Sequence, residues 1–228
     1  LISADYKKGE KARVRDAIFI STRLLNLFII PVSVSLAAVS HLVITGIYGP
    51  AYSAGVVPFA ILTLLSIISA YATMFIMAIQ AIGKTKSLIK IGLLSVFTNA
   101  IMLVILAKPL GAIGASIARI GMTLAVLLLS YGALRREISV AIDLGSMRKA
   151  VMLSITIAIP LLLGEFTFGY IASMFTRVLI ASMIFIGIGL LATWLWKPFE
   201  RRDFDLMRQA SPKIFHKVLS FMERFLYR

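Results

Sequence analysis

Six long apolar runs, at about residues 17–45, 54–82, 87–107, 111–134, 149–172 and 174–196, alternate along the chain with short polar segments. Each run is near or above the ~20 residues that a helix needs to cross the hydrocarbon core of a bilayer. The pattern predicts an all-α integral membrane protein with about six transmembrane helices. Pro31 interrupts the first run, where a proline commonly kinks a membrane helix. Gly46-Ile-Tyr-Gly-Pro-Ala-Tyr-Ser53, Ala81-Ile-Gly-Lys-Thr-Lys86 and Lys108-Pro-Leu-Gly111 read as turns. The fourth run opens with Gly111, Gly114, Ala115 and Ala118, small residues three and four apart that permit close backbone packing on one helix face. In the fifth, Pro160, Gly164 and Glu165 leave two readings open, a full span or one that ends early as a re-entrant segment. The sixth is apolar on all sides, which predicts a peripheral, lipid-facing helix.

After the sixth run, Ser211-Pro212 supplies a helix cap and first-turn proline. Ile214, Phe215, Val218, Met222, Phe225 and Leu226 then recur at helical spacing against Lys213, Lys217, Arg224 and Arg228. This reads as an amphipathic interfacial helix on the membrane surface, or alternatively as a helix docked on the neighbouring loops. The chain thus divides into residues 1–135 with four helices, 136–197 with two more, and a tail over 198–228.

Charge orients this arrangement. Of the 24 Lys and Arg residues, 20 fall in four clusters: 7–15, 84–90, 135–149 and 197–228. The alternate turns carry only Lys108 and Arg177. Basic loops stay cytoplasmic, so the expected topology has both termini cytoplasmic in a multi-pass protein of the cell membrane. The chain is 60% hydrophobic and 15% charged, with a mean hydropathy of +0.95. Its net charge of +14 lies at membrane edges, where it meets anionic lipid headgroups, and not on one soluble face that would suit nucleic acid. There is no Cys, which excludes disulfides and thiolate metal sites. No Gly-rich phosphate loop is present, and His41 and His216 fall on opposite sides in this topology, so no catalytic motif, metal or cofactor is expected.

Polar residues inside the first four runs form stripes: Asn26, Ser33 and Ser40; Thr63, Ser66, Ser69, Thr73 and Gln80; Ser95, Thr98 and Asn99; Ser116, Arg119, Thr123 and Ser130. Such stripes either line a shared hydrated cleft or serve as interhelical hydrogen bonds, each worth about 0.6 kcal/mol. Arg119 is the informative member. It lies eight residues beyond Gly111, so about 12 Å from that helix end. A charge at such depth costs at least ~2.5 kcal/mol and calls for water or a partner. Only Glu165 lies within or beside the runs as an acidic partner. A guanidinium without a carboxylate suits a phosphate or pyrophosphate, gripped by two parallel hydrogen bonds; the alternative is an Arg that snorkels to headgroups. Arg23 is likewise placed to snorkel toward the cytoplasmic side.

Several stretches carry a resemblance. Ser3-Ala-Asp-Tyr-Lys-Lys-Gly9, Tyr48-Gly-Pro-Ala-Tyr-Ser-Ala54 and Ala81-Ile-Gly-Lys-Thr-Lys86 resemble turn and entry segments of polysaccharide and lipid-linked oligosaccharide flippases. So does Asn99 followed by Lys108-Pro-Leu-Gly-Ala-Ile-Gly-Ala-Ser-Ile-Ala118. These flippases belong to the multidrug/oligosaccharidyl-lipid/polysaccharide exporter superfamily. The resemblance covers about residues 1–135 and implies the last four helices of a second six-helix lobe, followed by an extra helical pair. It implies a C-terminal portion of a longer parent chain, or a partner that supplies the missing lobe. It further implies alternating access for a lipid-linked glycan, with Arg119, Ser116, Thr123, Asn99, Arg23 and Asn26 as candidate substrate contacts. Other expectations for such a chain are a drug/cation antiporter of the same superfamily, a membrane glycan polymerase or ligase, and a non-transporting scaffold.

Overall fold

A computed structural model describes residues 11–140, 142–168 and 173–199, together with positions 203, 204, 220 and 223. Among the described residues all regular structure is helical. The elements are α1 (Lys11–Ala38), α2 (Ser40–Tyr48), a 3-10 turn (Pro50–Gly55), α3 (Val56–Ala81), α4 (Thr85–Arg135), α5 (Leu144–Phe168) and α6 (Met174–Trp196). Five helical segments are long and apolar enough to cross a membrane.

α4 is not one rod. Its 51 residues would extend about 77 Å if straight, more than twice the hydrocarbon thickness. Gly111 breaks it, with φ 56 and ψ −132, a conformation that only glycine adopts readily. Beyond Gly111 the chain folds back on itself. A Cβ at Gly114 would strike the Leu106 carbonyl, and one at Gly121 would strike the Met102 sulfur. The third and fourth apolar runs are therefore the arms of an antiparallel hairpin. The small-residue face foreseen in the fourth run is what lets the arms touch: Gly114 is buried and Ala118 is fully so.

Neither proline breaks its helix. α1 passes through Pro31 and α5 through Pro160. The interruption in the first run comes instead at Val39, between α1 and α2. Val39 itself remains bonded, its N–H donating to the Ser35 carbonyl at 3.1 Å. The fifth run continues past Gly164 and Glu165 to Phe168 as one helix, so the early-ending alternative does not hold.

The packing gathers the described parts of the basic segments at one end. Val14 and Ile18 of α1 meet Phe75 and Ile79 of α3, Ile91 and Leu134 of α4, and Ile138. There Lys84 pairs with Glu137 at 2.8 Å, tying the turn after α3 to the end of α4. The chain returns to α1 after α6: Leu27 and Ile30 pack with Ala150, Phe199 and Phe204. The rings of Phe28, Phe199 and Phe204 lie 5.7 and 5.9 Å apart in succession. Leu153, Ile157 and Leu161 of α5 hold α6 through Ala192, the one buried residue of that helix. Ala181, Ile184 and Ile188 pack partly buried against the same cluster, and most of the remaining apolar side chains of α6 are exposed, as in a peripheral helix. The amphipathic helix expected over 211–228 lies outside the described residues, apart from positions 220 and 223.

Candidate functional site: a polar cleft around Arg119

α3 and both arms of α4 enclose a cleft of about 340 Å³. Ser69, Thr73 and Gln80 line it from α3, Gly92 and Ser95 from the first arm, and Arg119 and Thr123 from the second. Its walls between these groups are apolar, among them Ala72, Ile91 and Val126. Measured along α3, the cleft extends from Ser69 in mid-helix to Gln80 beside the basic turn, and Arg119, an exposed residue of the second arm, lines it.

The hydroxyls and the guanidinium play different parts. Ser95 donates to the Gly92 carbonyl and Thr123 to the Arg119 carbonyl, both at 2.8 Å. With their hydrogens committed to their own helices, these two hydroxyls present acceptor lone pairs to the cleft. Arg119 is the opposite case. Among the described residues its polar contact is a weak one, from Nη1 to the Met122 sulfur at 3.3 Å. No carboxylate among the described residues pairs with it. Among the described residues the cleft therefore presents an exposed cation whose hydrogen-bond donors are almost all unspent, a group that an anion can take through charge-assisted hydrogen bonds.

The sequence stripes divide between cleft and glue. From α3 and α4 the cleft takes Ser69, Thr73, Gln80, Ser95, Arg119 and Thr123. The α1 stripe stays out of it. Ser33 bonds Ser66 of α3 at 2.7 Å, which is interhelical glue. Ser116 is buried and donates to the Ala112 carbonyl at 3.0 Å. It sits two turns nearer the bend than Thr123, where the arms close. Asn99 is also outside the lining.

Arg23 and Asn26 belong to a separate buried network. The Arg23 guanidinium meets Asp143 at 3.3 Å and Asp203 at 2.9 Å, and does not snorkel. Asn26, fully buried, donates through Nδ2 to the Asp143 carbonyl at 3.0 Å and the Ser146 hydroxyl at 2.9 Å, and accepts from the Tyr71 hydroxyl. Asp143 also caps α5, its carboxylate accepting from the Ser146 N–H at 3.0 Å. These contacts clip α1, α3, the start of α5 and residue 203 together. Asp143 and Asp203 were not recognisable as partners, being 120 and 180 residues away from Arg23. The one local signal was Asp143-x-x-Ser146 ahead of an apolar run, a helix-start pattern.

At the opposite end, Glu165 of α5 pairs with Arg177 of α6 and lies 3.1 Å from His41 Nδ1 of α2. The acidic residue that could have been set against Arg119 is thus engaged elsewhere. Among the described residues no cluster of three or more His, Cys, Asp or Glu could hold a metal ion. Comparison with protein-family models, curated proteins and solved structures finds no match to the chain.

Proposed function

We propose that this chain forms one wall of a passage for lipid-linked oligosaccharide or polysaccharide precursors across the cell membrane. The pyrophosphate headgroup enters the Arg119 cleft while the lipid tail stays in the bilayer. The observation that carries the reading is a guanidinium in the middle of a long apolar helical arm, lining a polar cleft, with no carboxylate beside it among the described residues. The sequence resemblance of residues 1–135 points the same way, and implies that facing helices come from a longer parent chain or a partner. The cleft lining contains no Asp or Glu, which favours anionic over cationic cargo among exporters of this superfamily. With no covalent step to perform, binding and conformational change do the work.

Glycine supplies a clean test of the cleft. A Cβ at Gly92 meets nothing within 4 Å, so a side chain placed there starts into open space. Gly92→Phe should accumulate normally and cut glycan display at least tenfold, in cells that depend on the gene carrying this chain. Normal display at equal protein level would remove the cleft from the transport path.

The same proposal includes six spans with both termini cytoplasmic. Each arm of α4 is about 38 Å long, enough to cross a bilayer alone, and the described parts of the basic segments lie toward one end of the bundle. Because the native chain lacks Cys, single Cys probes are unambiguous. Cys at Tyr52 or Leu110 should react with an impermeant thiol reagent from outside intact cells, and Cys at Thr85 or Ser139 should not. Labelling at Thr85 from outside would invert the orientation.

A further inference from the structure

The two arms of α4 touch near the bend and part toward their basic ends. Between the parted ends lies a second opening, a fissure of about 320 Å³ that shares only Ile91 with the Arg119 cleft. Its first wall is Ser87, Lys90, Ile91 and Leu94, a stripe at helical spacing on the first arm. Its second wall includes Leu128, Gly132 and Arg136 on and just beyond the other arm. Gly132 stands in the second wall, where an added Cβ would meet nothing within 4 Å and so point into open space.

Polarity is graded along the fissure. Lys90 and Arg136 stand toward the open ends of the arms, while Leu94 and Leu128 line the part nearer the bend. No carboxylate among the described residues pairs with either cation. The nearby Glu137 is engaged by Lys84 at 2.8 Å. Two unneutralised cations above an apolar slot match a molecule with an anionic head and a hydrocarbon tail. A free phosphate would use the cations and leave the slot empty; a neutral lipid would use the slot and leave the cations unmatched.

We infer that this fissure is a binding site for an anionic phospholipid of the leaflet that faces the basic end, with its phosphate between Lys90 and Arg136 and an acyl chain along Leu94 and Leu128. The inference is independent of the cargo reading, since it uses neither Arg119 nor its cleft. A lipid held there would fill the space between the arms and brace the hairpin whose other wall forms the Arg119 cleft.

The test is native mass spectrometry of the detergent-purified chain, titrated with phosphatidylglycerol or phosphatidylcholine of matched acyl chains. The wild type should retain one phosphatidylglycerol at least tenfold more tightly than phosphatidylcholine. Lys90→Gln with Arg136→Gln should abolish that preference. Gly132→Leu, which fills the slot and keeps both charges, should weaken phosphatidylglycerol at least tenfold, while Gly132→Ala shows that the position tolerates a side chain. Lys86→Gln with Arg135→Gln removes two equally basic groups outside the fissure and should change nothing. Equal loss in that control pair would mean unspecific surface charge. Undiminished binding by Gly132→Leu would place the headgroup on the rim with no tail in the slot. Displacement of the lipid by millimolar glycerol 3-phosphate would make this a phosphate site. Any of these three results, or a wild type without preference, overturns the inference.

Discussion

Arg23→Ala should destabilise the protein by about 3–5 kcal/mol, the usual cost of removing one partner from a buried ion pair. The side chain is 14% exposed and faces two carboxylates, Asp143 at 10% and Asp203 at 3% exposure. Truncation withdraws the cation that both were folded against, in a place that water scarcely reaches. The same contacts hold the start of α5 and the chain after α6 onto α1, so the loss spreads beyond one pair. For a domain of this size the shift in thermal midpoint is on the order of 10 °C. Arg23→Lys should recover only part, because an ammonium cannot present the planar fork that spans two acceptors. Asp143→Asn should be milder, since Asn caps a helix nearly as well as Asp. Thermal unfolding of the purified protein, followed by size-exclusion chromatography, reads these differences. An Arg23→Ala midpoint equal to wild type would mean that the network adds nothing to the fold.

That prediction also marks where sequence reading succeeded and where it stopped. The helices were legible because membrane spans impose a long, simple signal: apolar runs of fixed length with charge excluded. The hairpin in α4 was legible too, since Lys108-Pro-Leu-Gly111 is a strong break and the Gly114 face that follows requires a close neighbour. The prolines misled. Pro31 and Pro160 look like breaks in one dimension, but each loses a single backbone bond inside a helix that its neighbours hold in place, and the true break at Val39 has no Pro or Gly to announce it. Arg23 and Asn26 misled for a different reason. They share helical spacing with residues that form stripes, yet the two carboxylates that meet Arg23 lie more than a hundred residues away, and only folding brings Asp143 and Asp203 within reach. The cleft stood between these extremes. The stripes on α3 and α4 named Ser69, Thr73, Gln80, Ser95, Arg119 and Thr123 correctly as residues sharing helix faces. Which stripes face a common space depends on how far the arms of α4 separate, and that is set by where glycines allow contact and where they leave a gap.

Arg119 is the converse of Arg23, an exposed charge on an apolar helical arm that no carboxylate among the described residues neutralises. Arg119→Ala should therefore fold and accumulate like wild type, because removing the charge lowers the cost of insertion. What it should lose is the grip on an anion. Charge-assisted hydrogen bonds contribute about 1.5–3 kcal/mol each, so losing even one of them corresponds to roughly a tenfold to hundredfold fall in transport. Arg119→Lys should fall between, keeping the charge and losing the parallel pair of donors. The direct measurement is headgroup translocation of a lipid-linked glycan pyrophosphate in proteoliposomes, made with the natural gene product and normalised to protein incorporated. The expected order is wild type, then Arg119→Lys, then Arg119→Ala at a tenth or less of wild type, with all three inserted equally. Wild-type translocation by Arg119→Ala would show that the guanidinium only reaches for interfacial water, and the cleft would not be the route of the cargo.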